Sequence, residues 1–167
     1  MLVLLAGCLV LVALVPRVSS VRPTTANVAS IARAVSLGQK WDVAVADKLP
    51  NGWTATNVTL IPGKPDTWQA GYTSPDTKYA AVLQTAGTSQ AWTQQQISTS
   101  RQVGTVSIGG VTWTRWERTD GNQRSLVRPS ELAGLSTVVI GTVSFNELDR
   151  FAAALQPLST SSFGKKS

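Results

Sequence analysis

The stretch VGTVSIGGVTWTRWERTDGNQRSLVR, residues 103–128, decides the fold of this chain. Its apolar and polar residues alternate, and the alternation is interrupted by Gly109-Gly110 and by Asp120-Gly121. Dipeptides of this kind supply the positive φ angles that two-residue hairpin turns require. The stretch therefore predicts three antiparallel strands joined by two tight turns.

The first of these turns also predicts part of a core. With two residues in the loop, Ile108 pairs with Val111. Val106 then pairs with Trp113 two positions further along. Cross-strand partners point to the same side of a sheet, so we expect these four side chains to share one face. Trp116 lies three residues after Trp113 and must point to the opposite face.

The segments on both sides of this unit extend the sheet and add helices. Flanking Gly and Pro residues and apolar content predict further strands at 56–61, 67–73, 78–85 and 135–143. The last of these is a continuous apolar run, which is typical of a central strand covered on both faces. Apolar residues at helical spacing predict a helix that Thr25 caps and Gly38 stops, and good helix formers predict another within residues 89–100.

A capping box predicts the last helix. Ser144 is followed three residues later by Glu147, so each side chain can bind the other residue's backbone N–H group. We expect the helix to pack on the sheet and Pro157 to end it. Its apolar stripe consists of Phe145, Leu148, Phe151, Ala152 and Leu155. The predicted fold class is α+β, with an antiparallel sheet of about six to seven strands and flanking helices, preceded by an N-terminal hydrophobic anchor.

The N-terminal residues indicate a targeting or anchoring segment. Residues 2–15 carry no charge, and as a helix they rise about 21 Å, less than the ~30 Å of a bilayer's hydrocarbon layer. That length is typical of a signal peptide, or of a span whose start lies upstream of Met1. LAGC at 5–8 matches a lipobox with Cys8 as the lipidated residue, but the apolar run continues past Cys8, which favours an anchor.

Four regions follow from these patterns. They are a signal or anchor at 1–22, a helix and extended linker at 23–48, an α+β domain at 49–158, and a disordered polar tail at 159–167.

Composition excludes several kinds of chemistry. The sequence has no histidine, and its one cysteine, Cys8, lies in the apolar segment, so an intradomain disulfide, a thiol metal site and the usual general base are all excluded. No serine stands in a nucleophile-elbow context. Glu117 and Asp120 are the nearest acidic pair, but the second hairpin places Glu117 opposite Arg124, which predicts an ion pair. We therefore predict no catalytic, cofactor-binding or metal-binding residues.

The net charge of +6 favours anionic surroundings such as acidic polymers or lipid head groups; the alternative is that the charge serves solubility alone. The basic residues are scattered and no nucleic-acid-binding motif is present, so nucleic acid is not an expected partner.

Trp116 is the main candidate for a contact residue. With Arg115 and Arg118 beside it, its ring could form a stacking or cation–π surface for a carbohydrate, a peptide or a partner domain. The alternative is that the ring is buried beneath a helix, for which the 145–155 helix is the candidate.

Several segments resemble an actinobacterial family of membrane-anchored proteins classed as "domain of unknown function 4245". They are LPNGW at 49–53, TWQAGYTSP at 67–75, YAAVLQT at 79–85, VSIGGVTWTRW at 106–116, RSLVR at 124–128 and STVVIGTVSFNELDRFAAAL at 136–155. The resemblance implies one membrane span and an extracytoplasmic domain, and it carries no catalytic signature onto these positions.

We therefore expect a single-pass membrane protein that binds or scaffolds at the cell envelope, anchored by residues 2–15, with an envelope protein or an anionic polymer as partner. The alternatives are a carrier of a lipid or other hydrophobic ligand, which requires a large enclosed apolar cavity, and an envelope enzyme that uses carboxylates.

Overall fold

The computed structural model describes residues 27–87 and 90–164. The predicted anchor at 1–22, Thr25 and residues 165–167 lie outside the described residues. The elements in chain order are α1 (Val28–Gln39), β1 (Ala44–Ala46), β2 (Thr54–Ile61), β3 (Thr67–Thr73), β4 (Tyr79–Ala86), α2 (Gln90–Gln96), β5 (Ser100–Ile108), β6 (Val111–Arg118), β7 (Arg124–Val127), β8 (Leu135–Gly141), α3 (Phe145–Ala153) and β9 (Leu155–Pro157).

Seven strands form one antiparallel sheet in the order β2-β3-β4-β8-β7-β6-β5, and β1 pairs with β9 in a separate two-stranded sheet. The predicted α+β class and strand number are confirmed, and β8 is central as predicted. Ile108 lies opposite Val111, and Val106 lies opposite Trp113. The turn between them has φ angles of 58° at Gly109 and 78° at Gly110, in the left-handed region where glycine is favoured.

Alternation along the strands sorts the side chains into two faces. What we call the inner face packs against α1, α3 and β1, and it carries Trp68, Tyr72, Val82, Trp113, Leu126 and Val139. What we call the outer face packs against α2, and it carries Leu83, Trp116, Val127, Val138 and Ile140. Helices therefore flank the sheet on both sides.

α3 starts with the predicted capping box. The Ser144 hydroxyl accepts a hydrogen bond from the Glu147 N–H group at 3.3 Å, and the Glu147 carboxylate accepts one from the Ser144 N–H group at 3.0 Å. The helix ends at Ala153, earlier than the predicted stop at Pro157. Leu155 is extended instead and pairs with Ala46, because β1 offers it a backbone partner while its side chain stays buried.

α1 occupies the region where the sequence predicts a helix, with shifted ends. Its N-cap is Asn27, whose side chain accepts a hydrogen bond from the Ser30 N–H group at 3.1 Å. The helix continues past Gly38 and ends before Lys40, which has a left-handed backbone conformation with φ of 57°. Val28, Ala32 and Val35 form its buried stripe.

β1 is fixed to the inner face by side chains of the large sheet. The Ala44 N–H group donates to Gln84 Oε1 at 2.6 Å, and Trp68 Nε1 donates to the Ala44 carbonyl at 2.8 Å. The Ala46 N–H group donates to the Tyr72 hydroxyl at 3.3 Å. Burial raises the pKa of Tyr72 to about 12, so this hydroxyl stays protonated under ordinary conditions.

The helix predicted within 23–48 is present, but the described parts of that region and of the predicted tail (159–167) pack on the domain instead of lying outside it. Asp42 accepts a hydrogen bond from the Ser159 N–H group at 2.9 Å, and Asp47 accepts one from the Ser162 N–H group at 2.8 Å. Ser161 is fully buried. These contacts join residues far apart in sequence, which is why local composition did not reveal them.

Among residues 27–87 and 90–164, no helix combines the length and apolar character needed to cross a bilayer.

Candidate contact surface

Trp116 lies on the outer face of β6, opposite Gln102 of β5 and Ser125 of β7. Ser125 in turn lies opposite Ile140 of β8, so one row across the sheet connects the indole to the central strand. Ser125 is small and fully buried. The larger side chains of Trp116 and Ile140 therefore dominate this part of the outer face.

The outer face has a small core of its own. Leu83 and Val138 are covered by Trp92 of α2 and by Ile97 just after that helix. Trp92 also donates from Nε1 to Thr67 Oγ1 at 2.9 Å, which links α2 to the start of β3. Because α2 has only seven residues, its cover is local.

Beside this small core, three side chains pack against it and stay partly exposed. They are Trp116, Val127 and Ile140, which we call the outer-face patch. An aromatic ring next to aliphatic side chains, with part of its surface open to solvent, is typical of the centre of a protein contact.

The structure separates the three residues that the sequence grouped as a contact surface. Arg118 shares the outer face with Trp116, and its Nε lies 3.4 Å from Asp120 Oδ2. Arg115 points to the inner face, where it forms a very short ion pair with Asp149 of α3. Neighbouring strand residues point to opposite sides, so Arg115 cannot join Trp116. Since α3 packs on the inner face, it does not cover Trp116 either.

Phe145 and Glu117 organise the arginines at this end of the inner face. The guanidinium groups of Arg115 and Arg124 lie 5.1 Å and 5.7 Å from the centre of the Phe145 ring. Glu117 lies 3.6 Å from Arg124 and 3.7 Å from Arg101. The predicted Glu117–Arg124 ion pair is confirmed, and the cluster fastens α3 to β6 and β7.

A groove of about 330 Å³ adjoins the outer-face patch. It runs between α2 and the loop after β2, and Ile140 belongs to both the groove and the patch. Leu83 also lines it, together with the amide side chains of Gln69, Gln95 and Gln96 and with Lys64. The combined surface has an apolar centre and a rim of hydrogen-bonding and cationic groups.

Sequence reasoning found Trp116 but missed Val127 and Ile140. Alternation within β7 and β8, combined with the register across Ser125, could have placed both on the Trp116 side. The groove carries no such signal, because it depends on where α2 packs against β3.

No cluster of three or more potential metal ligands occurs in the part of the chain that the structure describes. The groups on the outer-face patch and its groove are an indole ring, aliphatic side chains, amides and cations. This set can hold a ligand by stacking, apolar contact and hydrogen bonds.

A model of the family described as "Protein of unknown function (DUF4245)" matches residues 1–155 of this chain. No curated protein and no solved structure matches it.

Proposed function

This chain belongs to the DUF4245 family of unknown function, and from that starting point we propose that it is a non-enzymatic binding or scaffolding domain, held outside the membrane at the cell envelope. In this proposal residues 2–15 anchor the chain and the outer-face patch receives an envelope partner.

The proposal rests on the observation that the two faces of the sheet are covered to different extents. The inner face is filled by α1, α3 and β1, whereas α2 covers only part of the outer face. Trp116 remains partly exposed there, and Arg118 at its rim has a side chain that is 45% exposed. A tryptophan with a cationic rim offers large apolar area and directional contacts at one place.

Location is tested by protease treatment of intact spheroplasts that carry the full chain. We expect the domain to be degraded from outside, because residues 27–164 then lie beyond the membrane. A cytoplasmic marker protein must stay intact in the same sample. Full protection of the domain would contradict the proposed location.

Binding is tested with a photo-crosslinking amino acid at Gln102, which is exposed and lies opposite Trp116. Native membranes should give a discrete adduct from this position and none from exposed Asp76, in the turn between β3 and β4. The adduct should weaken when Trp116→Ala is added to a folded chain. Equal adducts from both positions, or none from Gln102, would remove the outer-face patch as the contact site.

A further inference from the structure

The exposed side of α1 carries an apolar surface with two cations. Leu37 has 82% of its surface exposed, and half-buried Trp41 lies close to it. Both line an open groove of about 670 Å³ that also includes Arg33, Lys40 and Leu158. We call the set Arg33, Leu37, Lys40 and Trp41 the α1 surface.

The end of the described chain also contacts this groove. Gly164 lines the groove, and Arg33 donates a hydrogen bond to the Phe163 carbonyl at 2.7 Å. Asp42 is the acidic group of the groove, and its second carboxylate oxygen accepts a hydrogen bond from the Ser159 hydroxyl at 2.6 Å. Cations therefore outnumber carboxylates at this place.

The sequence also limits how far α1 lies from the apolar segment. Residues 16–26 separate the end of the apolar run from Asn27, and these eleven residues reach at most about 40 Å when fully extended. Arg17 and Arg22 fall within this connection. If residues 2–15 sit in a bilayer, α1 is the described element closest to the membrane anchor along the chain.

We propose that the α1 surface docks on the membrane, with Leu37 and Trp41 entering the head-group layer and Arg33 and Lys40 contacting anionic lipid head groups. This inference rests on the proposed function, because it needs residues 2–15 as the anchor. Tryptophan and basic side chains with long aliphatic stems suit the bilayer interface, where one end of each is apolar and the other is hydrated.

The tether and the α1 surface act together in this arrangement. One apolar contact and a few cations bind a membrane weakly by themselves, but an anchor in the same chain keeps them close to the bilayer at high effective concentration. Docking would fix the orientation of the domain. β2 is the edge strand on which α1 packs, and β5 with its neighbour β6 lies at the other edge, so the outer-face patch would point away from the membrane.

The test places an environment-sensitive fluorophore on the full chain in nanodiscs. A Cys8→Ser background receives Leu37→Cys, or Val103→Cys as the matched control; Val103 is 42% exposed and lies on the far edge strand β5. In discs rich in phosphatidylglycerol, brominated lipids should quench the label at position 37 several-fold more than the label at position 103. Equal quenching at the two positions would overturn the proposal.

Charge variants test the lipid chemistry. Lys40→Gln should lower the ratio of docked to undocked domain about fivefold, since one basic residue near an anionic surface is worth roughly that factor. Lys78→Gln is the matched control, because Lys78 is also exposed but lies in the turn at the opposite end of β3 and β4. Discs of phosphatidylcholine alone should show a larger loss than Lys40→Gln, because they remove the anionic partner of Arg33 as well as that of Lys40. If neither Lys40→Gln nor the removal of phosphatidylglycerol changed the quenching, the role of anionic lipid would be overturned.

The outcomes separate this inference from the proposed function. A chain that fails to insert into the discs contradicts the anchor, and the docking proposal falls with it. A chain that inserts but shows no selective quenching at position 37 contradicts docking alone. A label that is shielded from water yet not quenched by brominated lipid indicates cover by protein, from the same chain or from a second copy, and this also overturns docking.

Discussion

The two faces of the seven-stranded sheet are built from the same strands but are covered to different extents. On the inner face, Trp68 is fully buried and contacts the backbone of β1, and Trp113 is 3% exposed. On the outer face, Trp116 lies only three residues from Trp113 and is partly exposed. The difference indicates that stability is concentrated on one face, which leaves the other free to tolerate a contact surface.

The sharpest test of this comparison uses the two tryptophans of β6. Trp113→Ala is expected to lower the free energy of unfolding by about 3–5 kcal/mol, because it empties a buried site. Trp116→Ala should cost roughly 1–2 kcal/mol, since less apolar area leaves water when the ring packs. Urea unfolding followed by circular dichroism measures both. If the two variants lost equal amounts of stability, both faces of the sheet would belong to the core.

A second test compares polar contacts on the two faces. Gln84→Leu should cost roughly 1–3 kcal/mol, because it leaves the buried Ala44 N–H group without its acceptor. Gln69→Leu is the matched control on the outer face, where the side chain is half-buried and donates to Tyr79 at 3.3 Å. Its cost should be clearly smaller by the same unfolding measurement. If Gln84→Leu left the free energy of unfolding unchanged, the role of Gln84 in holding β1 would be contradicted.

The helices of the two faces allow a smaller comparison. Ser144→Ala removes the cap of α3 and is expected to cost about 0.5–2 kcal/mol. Ser98→Ala, at an exposed position just after α2, is the control and should leave the denaturation midpoint almost unchanged. The capping box would be unimportant for stability if the two variants were indistinguishable.

The same cap predicts a modest pH dependence. Hydrogen bonds from Ser144 hold the pKa of Glu147 below its ordinary value of 4.5. A lowered folded-state pKa contributes stability above pH 4.5, and this contribution is lost as the pH falls through the folded-state pKa. Wild type should therefore exceed Glu147→Gln in stability at neutral pH by more than at pH 3. If the stability difference between the two proteins stayed constant from pH 3 to neutral pH, the lowered pKa of Glu147 would be contradicted.

Local signals in the sequence predicted a large part of this fold. The glycines at 109–110 and 121 placed both hairpins in the correct register, and Ser144 with Glu147 placed the start of α3. Such features depend on residues within a few positions of each other. Their physical cause is local, so the sequence displays it directly.

Features that depend on distant residues were not predicted. The sequence indicated that β8 is central but not that it pairs with β4, a strand about fifty residues earlier. The sequence placed Ala44 in a linker, because the residues that bind its backbone, Gln84 and Trp68, lie on other strands and leave no local signal. At the contact surface, alternation identified Trp116, while Arg115 was grouped with it by sequence proximity although its side chain points the other way.

The pairing of β1 with β9 also has a consequence for how the chain folds. Ala46 lies opposite Leu155, so the small sheet joins the two ends of the described chain. Contacts between residues so far apart require the closure of a long loop, and such contacts slow folding. The hairpins at 103–128 can form as soon as their residues are available, whereas β1 must wait for β9, a strand that comes much later in the chain. A nascent chain that has not yet reached Leu155 therefore leaves the buried residues of β1 without their partner strand, and it exposes them to proteolysis and aggregation until β9 is made.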